Sequence, residues 1–301
     1  MSGHHHHHHH HHATGNLKLA FFLNLAFTVF EIFGGLYVNS IAIISDAVHD
    51  LGDSLSLGTA WYLQKKSEQK PDSKYSFGYA RFSLLGALIN ALVLITGSIY
   101  VISEAFGRLF EPQSTDAKGM FFFALVGIAV NSYAAWKVSS GKSINERLIS
   151  WHLIEDVLGW TAILIGSIIL LFKDLPYLDP ALSLLITLYI LWNVLKSLKE
   201  TLFIFLQGIP EDVDPAIIEE KIIALDSVDS VHHTRVWSLE GQHHVFTTHV
   251  KLGRINSMSE LLEVKENIKH ILSEYPFKFY TIETELDRES CGLPPNGSHE
   301  H

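Results

Sequence analysis

ISDAVHDLGD (residues 44–53) and SWHLIEDVLG (residues 150–159) carry most of the information in this chain. Each stretch is largely apolar and contains a His and an Asp four positions apart: His49 with Asp53, and His152 with Asp156. Residues four apart lie on the same face of a helix, so each pair projects a nitrogen and an oxygen in one direction. Two such helices side by side would offer two imidazoles and two carboxylates, which suit a tetrahedral divalent metal ion, zinc above all.

Both stretches lie in long apolar segments. The chain of 301 residues is 48% hydrophobic and only 18% charged, a composition that favours a membrane domain over a soluble enzyme. Six apolar segments come close to the ~20 residues that a bilayer helix needs, at about 17–38, 41–63, 82–109, 120–138, 148–172 and 181–206. We therefore predict six transmembrane helices. Ionisable groups at membrane depth are rare unless they line a pathway or pair with a partner, so the His and Asp pairs predict a metal-ion pathway.

The connections predict how the helices are arranged. A short link at Asn39 and Ser40 predicts a hairpin of the first two helices, and residues 174–180 predict a second tight turn on the same side. If the N-terminus is cytoplasmic, the inner connections hold eleven Lys and Arg residues and the outer ones only three, Arg108, Lys118 and Lys173. This asymmetry predicts that both termini are cytoplasmic.

After Gly208 and Pro210 the pattern becomes that of a small α+β domain. A helix is predicted from Pro215 to about Leu225, followed by strands at about 228–239 and 243–252, a helix at 257–274 and a strand at 277–286. This gives the order αββαβ. Alternation along the last two strands places His249, Glu283 and Glu285 on one polar face.

Charge and cysteine content exclude several classes of function. The net charge is −10, and 17 acidic against 8 basic residues put −9 of it between Glu211 and His301. Such a surface repels nucleic acid and concentrates cations, although a merely solvated acidic face is an equal alternative. The single Cys291 excludes an intramolecular disulfide and a thiolate zinc cluster, so no redox role is expected.

Several motifs together resemble the cation diffusion facilitator family, nearest its bacterial zinc-efflux branch. They are the two HxxxD pairs, the Asp179-Pro180 dipeptide before the sixth segment, SFGYAR (residues 76–81) and VHHTRVW (residues 231–237). The resemblance covers residues 17–291. It implies proton-coupled export of Zn²⁺ from the cytoplasm across the bacterial inner membrane, a homodimer in the lipid bilayer, and a cytoplasmic ferredoxin-like domain. Another divalent ion, Cd²⁺, Co²⁺, Mn²⁺ or Fe²⁺, is the alternative substrate.

The resemblance also divides the chain. Residues 1–16 are a His-rich tail, 17–208 the transmembrane domain, 209–290 a cytoplasmic metal-sensing and dimerisation domain, and 291–301 a C-terminal tail. Nine consecutive histidines, His4 to His12, are either a purification tag or a native tract that gathers zinc, and both readings stay open.

Metal ligands follow residue by residue from the same resemblance. The transport site is His49, Asp53, His152 and Asp156; the alternative is that these groups only hydrogen-bond the two helices together. A cytoplasmic site for regulatory Zn²⁺ maps onto His232, His249 and Glu285. Glu283 stands where some relatives have His, and three other histidines compete as ligands: His233, His243 and His244. The alternative is a solvated His-rich surface that binds no metal. A further loop site known in some members is not expected, since Tyr75 and Tyr79 flank its SFG segment.

Other polar residues of the apolar segments fall off the ligand faces. Asp46, Asp50 and Glu155 are interpreted as pathway, packing or water-facing groups. Glu31 and Asn131 are interpreted as satisfying neighbouring helices rather than lining a cavity.

Each of three other functions either lacks its sequence motif here or does not explain the paired His and Asp residues. An intramembrane metallohydrolase would need an open metal position, and the HExxH motif is absent. ATP as the driving force would need a GxxxxGK[ST] phosphate-binding loop, which is also absent. A membrane protein that only senses metal would leave the paired His and Asp residues without a role. We therefore predict a transporter rather than an enzyme, with a ligand set that favours zinc over manganese and magnesium.

Overall fold

The computed structural model describes residues 10–293 except 68, 70, 140–143, 174 and 288. Side chains are described for the same residues apart from 10–20, 57, 60, 61, 63–67, 137–139 and 144–153. The elements are α1 His10–Val38, α2 Ile41–Ser67, α3 Phe82–Phe110, α4 Ala117–Ser139, α5 Ile144–Phe172, α6 Leu178–Phe205, α7 Pro215–Ile223, β1 Val228–Ser238, β2 His244–Leu252, α8 Met258–Leu272 and β3 Phe277–Glu285. Most of the predicted tract His4 to His12 lies outside the described residues.

Contacts divide the chain into two compact units. One comprises Met1–Lys66 and Leu85–Leu198, and the other Ser67–Leu84 and Lys199–His301. The first, the helical unit, contains nearly all of α1 to α6, and the second, the C-terminal unit, contains the sheet with α7 and α8. The segment 67–84, which includes SFGYAR, belongs to the C-terminal unit, although it lies far from the sheet in sequence.

Helix α2 lies at the centre of the helical unit. Its Ala42 and Ile43 belong to a buried cluster with residues of α1, α4 and α5, and Ile41 packs with Val101 and Ala105 of α3. Further along α2, Val48 packs against buried residues of α3 and α6. Since α2 is covered on several sides, its Asp46 and Asp50 are buried inside the helical unit, 3% and 2% exposed.

Five described helices are long and apolar enough to cross a membrane: residues 21–38, 82–110, 117–136, 154–172 and 178–205. These helices make the protein an integral membrane protein with a helical membrane domain. Helix α2 is 27 residues long but falls outside this set. The reason is its charge: Asp46, Asp50 and Asp53 lie in its middle and two lysines near its end. An apolar face toward lipid is not needed for a helix whose neighbours surround it.

Asp179 ties the start of α6 to the start of α2. Its carboxylate is 1% exposed and accepts hydrogen bonds from the Ser40 hydroxyl at 2.5 Å and from the backbone N–H groups of Ile41 at 2.8 Å and Ala42 at 3.3 Å. The first N–H groups of a helix have no partner within the helix, and a negative charge there is favourable. Asp179 therefore caps α2 from another helix.

The tight turn predicted at residues 174–180 is wrong in its second half. Helix α6 already begins at Leu178, so Asp179 and Pro180 occupy its first turn. Proline is tolerated there because the N–H that it lacks would have no partner in the helix.

The C-terminal unit has the predicted order αββαβ and a three-stranded sheet of order β1-β2-β3. β1 and β2 pair antiparallel, and β2 and β3 pair parallel. Asp214 caps α7 through the Ala216 N–H with Pro215 in the first turn, and Ser257 caps α8 through the Glu260 N–H. Both caps agree with the sequence pattern.

One face of the sheet carries the core of the C-terminal unit. Phe246, Val250 and Leu252 of β2 are fully buried there against α7 and α8 residues such as Ile218 and Ile268. The alternation predicted for β2 is thereby confirmed on this face. The opposite face was expected to be polar, but Val245 is also buried on it, together with Leu239 and Ala80 of the 67–84 segment.

A glycine in α4 controls the packing of α4 against α5. A Cβ built on Gly127 would lie 2.1 Å from the Trp160 indole, which is 1% exposed and one turn beyond Asp156. We expect Gly127→Ala to destabilise the protein by about 1–3 kcal/mol, because the rigid indole has to move. Thermal unfolding in detergent measures this.

The control is Gly107→Ala in α3, where a new Cβ has no described neighbour within 4 Å. This variant should keep or slightly raise the melting temperature, since Ala favours a helix over Gly. Equal melting temperatures for the two variants would contradict the close contact at Gly127.

Candidate metal centres

Helix α2 brings the first predicted ligand pair together. His49 and Asp53 lie one turn apart, and His49 Nε2 is 3.6 Å from Asp53 Oδ2. The His49 side chain is about one quarter exposed and the Asp53 side chain about one fifth, so an ion can reach both although each is largely enclosed. The four-residue spacing therefore places both groups on one face, as predicted.

Helix α5 adds a third ligand from the second predicted pair. Asp156 Oδ1 lies 3.7 Å from His49 Nε2, and its side chain is 6% exposed. Ligand atoms of His49, Asp53 and Asp156, which we call the helix cluster, all lie within 4.8 Å of one another. Two ligands of one tetrahedral zinc ion are about 3.3–3.6 Å apart, given metal–ligand distances of about 2.0–2.2 Å. The spacing in the helix cluster fits such an ion after small side-chain movements.

His152 is the fourth predicted ligand. Its backbone lies in α5, four residues before Asp156, but its side chain is outside the described residues. Its ligand role stays a prediction.

A second group of carboxylates lies deeper in the helical unit. Glu31 of α1 and Asp46 and Asp50 of α2 are 0%, 3% and 2% exposed, and their oxygens approach within 4.8 Å. We call these three residues the acidic cluster. Asp46 and Asp50 are therefore not water-facing, and Glu31 lies beside these two carboxylates of the neighbouring helix α2.

The remaining polar residues of the spans lie elsewhere. Glu155 is exposed, which fits the water-facing alternative. Asn131 is buried and donates from Nδ2 to the Gly127 carbonyl of its own helix at 3.2 Å. This bond is local and does not link α4 to a neighbour.

Sheet register assembles a cluster of ligands in the C-terminal unit. His232 of β1 and His249 of β2 are paired across the antiparallel ladder, with ring centroids 5.5 Å apart. Glu285, at the end of β3, contacts both: its Oε1 lies 3.2 Å from His232 Nε2 and 2.9 Å from His249 Nδ1. The three predicted ligands of this site thus meet around one carboxylate oxygen.

A fourth residue of this cluster, Cys291, was not predicted from the sequence. Its Sγ lies 3.6 Å from His249 Nδ1, and the ligand atoms of His232, His249, Glu285 and Cys291 all lie within 4.8 Å of one another. We call these four residues the C-terminal cluster. In the sequence, Cys291 simply follows Glu285 by six residues. This spacing does not reveal whether the chain turns back toward the histidines or runs away from them.

Electrostatics within the cluster couple Glu285 and Cys291. Burial alone would raise the pKa of Glu285, but hydrogen bonds with His249 and Cys291 and the nearby His232 together lower it. A hydrogen bond with the Leu293 backbone would lower the pKa of Cys291, but burial and the Glu285 carboxylate outweigh it and raise this pKa. A cation placed among these groups would favour the charged forms of both.

The competing histidines lie in different surroundings. His243 pairs with Glu240, and His244 Nε2 lies 3.1 Å from both carboxylate oxygens of Asp212. His233 is closer to the cluster: it is 6% exposed and packs edge-on against His232 and His249, with centroids 5.2 and 5.4 Å away.

Glu283 lies at the rim of the C-terminal cluster. It is paired with His249 in the β2–β3 register, and its Oε2 lies 3.5 Å from His249 Nε2, but its side chain is 66% exposed. It is therefore less enclosed than Glu285.

The segment that contains Tyr75 and Tyr79 forms a hydrogen-bonded turn. Asp72 accepts from the Tyr79 hydroxyl at 2.8 Å and from the backbone N–H groups of Lys74 and Tyr75. The absence of a loop metal site stays a prediction.

Comparisons with known proteins identify the family. A family model described as the cation efflux transmembrane domain matches residues 17–206. The metal cation efflux system protein CzcD of Cupriavidus metallidurans is 34% identical, covering 90% of this chain and 86% of the relative. The zinc transporter ZitB of Pectobacterium atrosepticum is 30% identical, covering 95% and 92%. A cadmium, cobalt and zinc/H(+)-K(+) antiporter of Bacillus subtilis is 29% identical, covering 90% and 88%.

The matched region contains the helix cluster and the acidic cluster, and the relatives span the C-terminal unit as well. The resemblance found in the sequence is thereby confirmed, and the chain belongs to the cation diffusion facilitator family of metal cation efflux transporters.

Proposed function

We propose that this protein exports Zn²⁺ from the cytoplasm in exchange for protons, with the helix cluster as its transport site. One observation carries the proposal: His49, Asp53 and Asp156, from two different helices, place three ligand atoms within 4.8 Å inside the helical unit. A ligand set of imidazole and carboxylate favours zinc over manganese and magnesium. Relatives named as zinc transporter and as cadmium, cobalt and zinc antiporter support the same substrate class.

Proton exchange follows from the chemistry of the ligands. Imidazole and carboxylate bind metal only in their unprotonated forms, so protons and metal compete for one site. In an alternating-access cycle, zinc enters from the cytoplasm, loses its water and is held by the helix cluster and His152. Protons arriving from the other side then displace it. The partly exposed Asp53 and the buried Asp156 supply the negative charge that makes a divalent ion acceptable at this depth.

The proposal also includes the membrane topology, the domain boundaries and the dimer. α2 is the sixth membrane span, with both termini in the cytoplasm of a bacterial inner membrane. Residues 17–208 form the membrane domain, and residues 209–290 form a cytoplasmic ferredoxin-like domain that senses zinc and mediates a homodimer. The supports are the surrounded position of α2, the excess of basic residues in the inner connections and the mixed sheet of the C-terminal unit.

Removing either carboxylate of the helix cluster should abolish transport. We expect Asp53→Ala and Asp156→Ala each to lower zinc uptake into proteoliposomes under an imposed proton gradient by about a hundredfold or more, because each removes a ligand and a compensating charge. Glu155→Ala is the matched control, since Glu155 is an exposed carboxylate next to Asp156. Folding is checked by melting temperature. Near-normal uptake in both Asp variants would refute the site.

The imidazole of His49 should set selectivity. His49→Asp replaces a nitrogen ligand by an oxygen ligand and makes the site harder and more negative. We expect the variant to retain zinc flux and to gain flux of manganese or cadmium relative to zinc. Competition among zinc, cadmium, cobalt, manganese and iron during uptake measures the ranking. An unchanged ranking would place selectivity outside the helix cluster.

The C-terminal unit should bind zinc independently of transport. Its main apolar cluster lies between Val213 and Ile282, so residues 210–301 contain this core when expressed alone. Zinc at a hundred times its dissociation constant should stabilise this fragment by ~2.7 kcal/mol, seen as a higher melting temperature. Changing His232 and His249 to Ala should remove most of the shift. A double variant that responds as strongly as the unmodified fragment would contradict a zinc site here and would leave the helix cluster unaffected.

A further inference from the structure

We infer that Cys291 supplies a thiolate ligand to the C-terminal cluster and completes a closed His₂–Glu–Cys site for one zinc-like ion. The inference rests on the regulatory zinc site of the proposed function and adds a ligand of different chemistry to it. It also assigns a role to the chain that follows β3. A closed set of four protein ligands is typical of sites that hold a metal rather than process a substrate.

The four ligands come from four places in the C-terminal unit. His232 lies on β1, His249 on β2, Glu285 at the end of β3, and Cys291 beyond the sheet. His249 Nδ1 lies 2.9 Å from Glu285 Oε1 and 3.6 Å from Cys291 Sγ. Zinc–sulfur bonds are about 2.3 Å and zinc–nitrogen bonds about 2.0 Å, so the nitrogen and sulfur ligands of one ion lie about 3.5 Å apart. The observed separation matches this value.

A local turn brings Cys291 back to the strands. The Leu286 N–H donates to the Glu289 carboxylate at 3.1 Å, and the Glu289 N–H donates to the Leu286 carbonyl at 2.8 Å. This reciprocal pair reverses the chain directly after β3. Without the reversal, the residues after Glu285 would continue along the strand and away from His249.

Two further observations point to a cation at this place. Glu285 is 4% exposed, and its ion-pair partners among the described residues are the two histidines rather than a Lys or Arg. Burying a carboxylate without a firm positive partner is costly, and a bound divalent ion removes that cost. In addition, His233 Nδ1 is buried without a hydrogen-bond partner while its ring packs against His232 and His249. This part of the sheet thus contains more potential metal-ligand atoms than its own hydrogen bonds occupy.

The thiolate determines which ions the site accepts. Soft sulfur ligands favour zinc, cadmium and cobalt over magnesium and manganese, which prefer oxygen. Binding forms a metal–sulfur bond and breaks the S–H bond of Cys291, whose proton is released to solvent. The bound ion also links Cys291 to β1 and β2, so that metal occupancy changes how firmly Cys291 is held against the sheet.

Cobalt provides a direct probe, because Cys291 is the only cysteine in the chain. A thiolate-to-cobalt charge-transfer band in the near ultraviolet can therefore arise from no other residue, and the histidines of the N-terminal tract produce no such band. We expect full-length protein titrated with Co²⁺ to develop this band to a plateau of one ion per chain, and Zn²⁺ to remove it.

Three variants separate the contributions of the individual side chains to cobalt binding. Cys291→Ser should lose the band and bind cobalt at least about tenfold more weakly at the C-terminal cluster. Changing His232 and His249 to Ala keeps the thiol but should also lose the band. His243→Ala is the matched control and should keep it, because that imidazole is 49% exposed and pairs with Glu240 outside the cluster.

Absence of the band in wild-type protein saturated with cobalt would overturn the inference. So would a band that survives the change of both histidines, because Cys291 would then bind metal elsewhere. Zinc uptake by the wild-type protein is measured in parallel: normal uptake without the band refutes only the Cys291 ligand, whereas a band without uptake refutes the transport proposal.

Discussion

Carboxylates buried inside a helical membrane bundle require a cation or a proton, because an unpaired charge there costs several kcal/mol. The helical unit buries Glu31, Asp46, Asp50 and Asp156 to 6% exposure or less. This constraint explains why α2, the most charged of the six long helices, lies among the other helices. It also explains why Asp179, a fifth buried carboxylate, is held by three hydrogen-bond donors at the start of α2. A buried carboxylate that accepts several hydrogen bonds, such as Asp179, has a structural role. A buried carboxylate that lies beside an imidazole and another carboxylate, such as Asp156, suits a metal ion.

The two proposed metal centres are built in different ways. The helix cluster uses the four-residue spacing of helices, and its ligands come from two helices, α2 and α5, which suits an ion that the proposed transport cycle has to release. The C-terminal cluster uses strand register and a returning chain segment, and its four ligands come from separate parts of one unit. Such a site can retain an ion and report its presence. In the proposed function, metal passage and metal sensing are thereby assigned to separate sites within one chain.

Sequence patterns predicted the parts of this molecule that depend on local geometry. Helical spacing identified His49, Asp53 and Asp156, and strand alternation brought His249 and Glu285 to one face. Features that depend on tertiary contacts were not predictable in this way. The cap from Asp179 to α2 joins residues 138 positions apart. Glu31 lies close to Asp46 and Asp50 only because of the way α1 packs on α2. The return of Cys291 depends on a single turn at Leu286 and Glu289, for which the sequence carries no distinct signal.

The central claim is that a zinc ion bridges α2 and α5 at the helix cluster. Anomalous difference density recorded at the zinc absorption edge, from crystals of the zinc-loaded protein, tests this claim most directly. The account predicts a peak about 2.0–2.2 Å from His49 Nε2 and from carboxylate oxygens of Asp53 and Asp156. Zinc density confined to other places, with His49, Asp53 and Asp156 bonded only to one another, would contradict it.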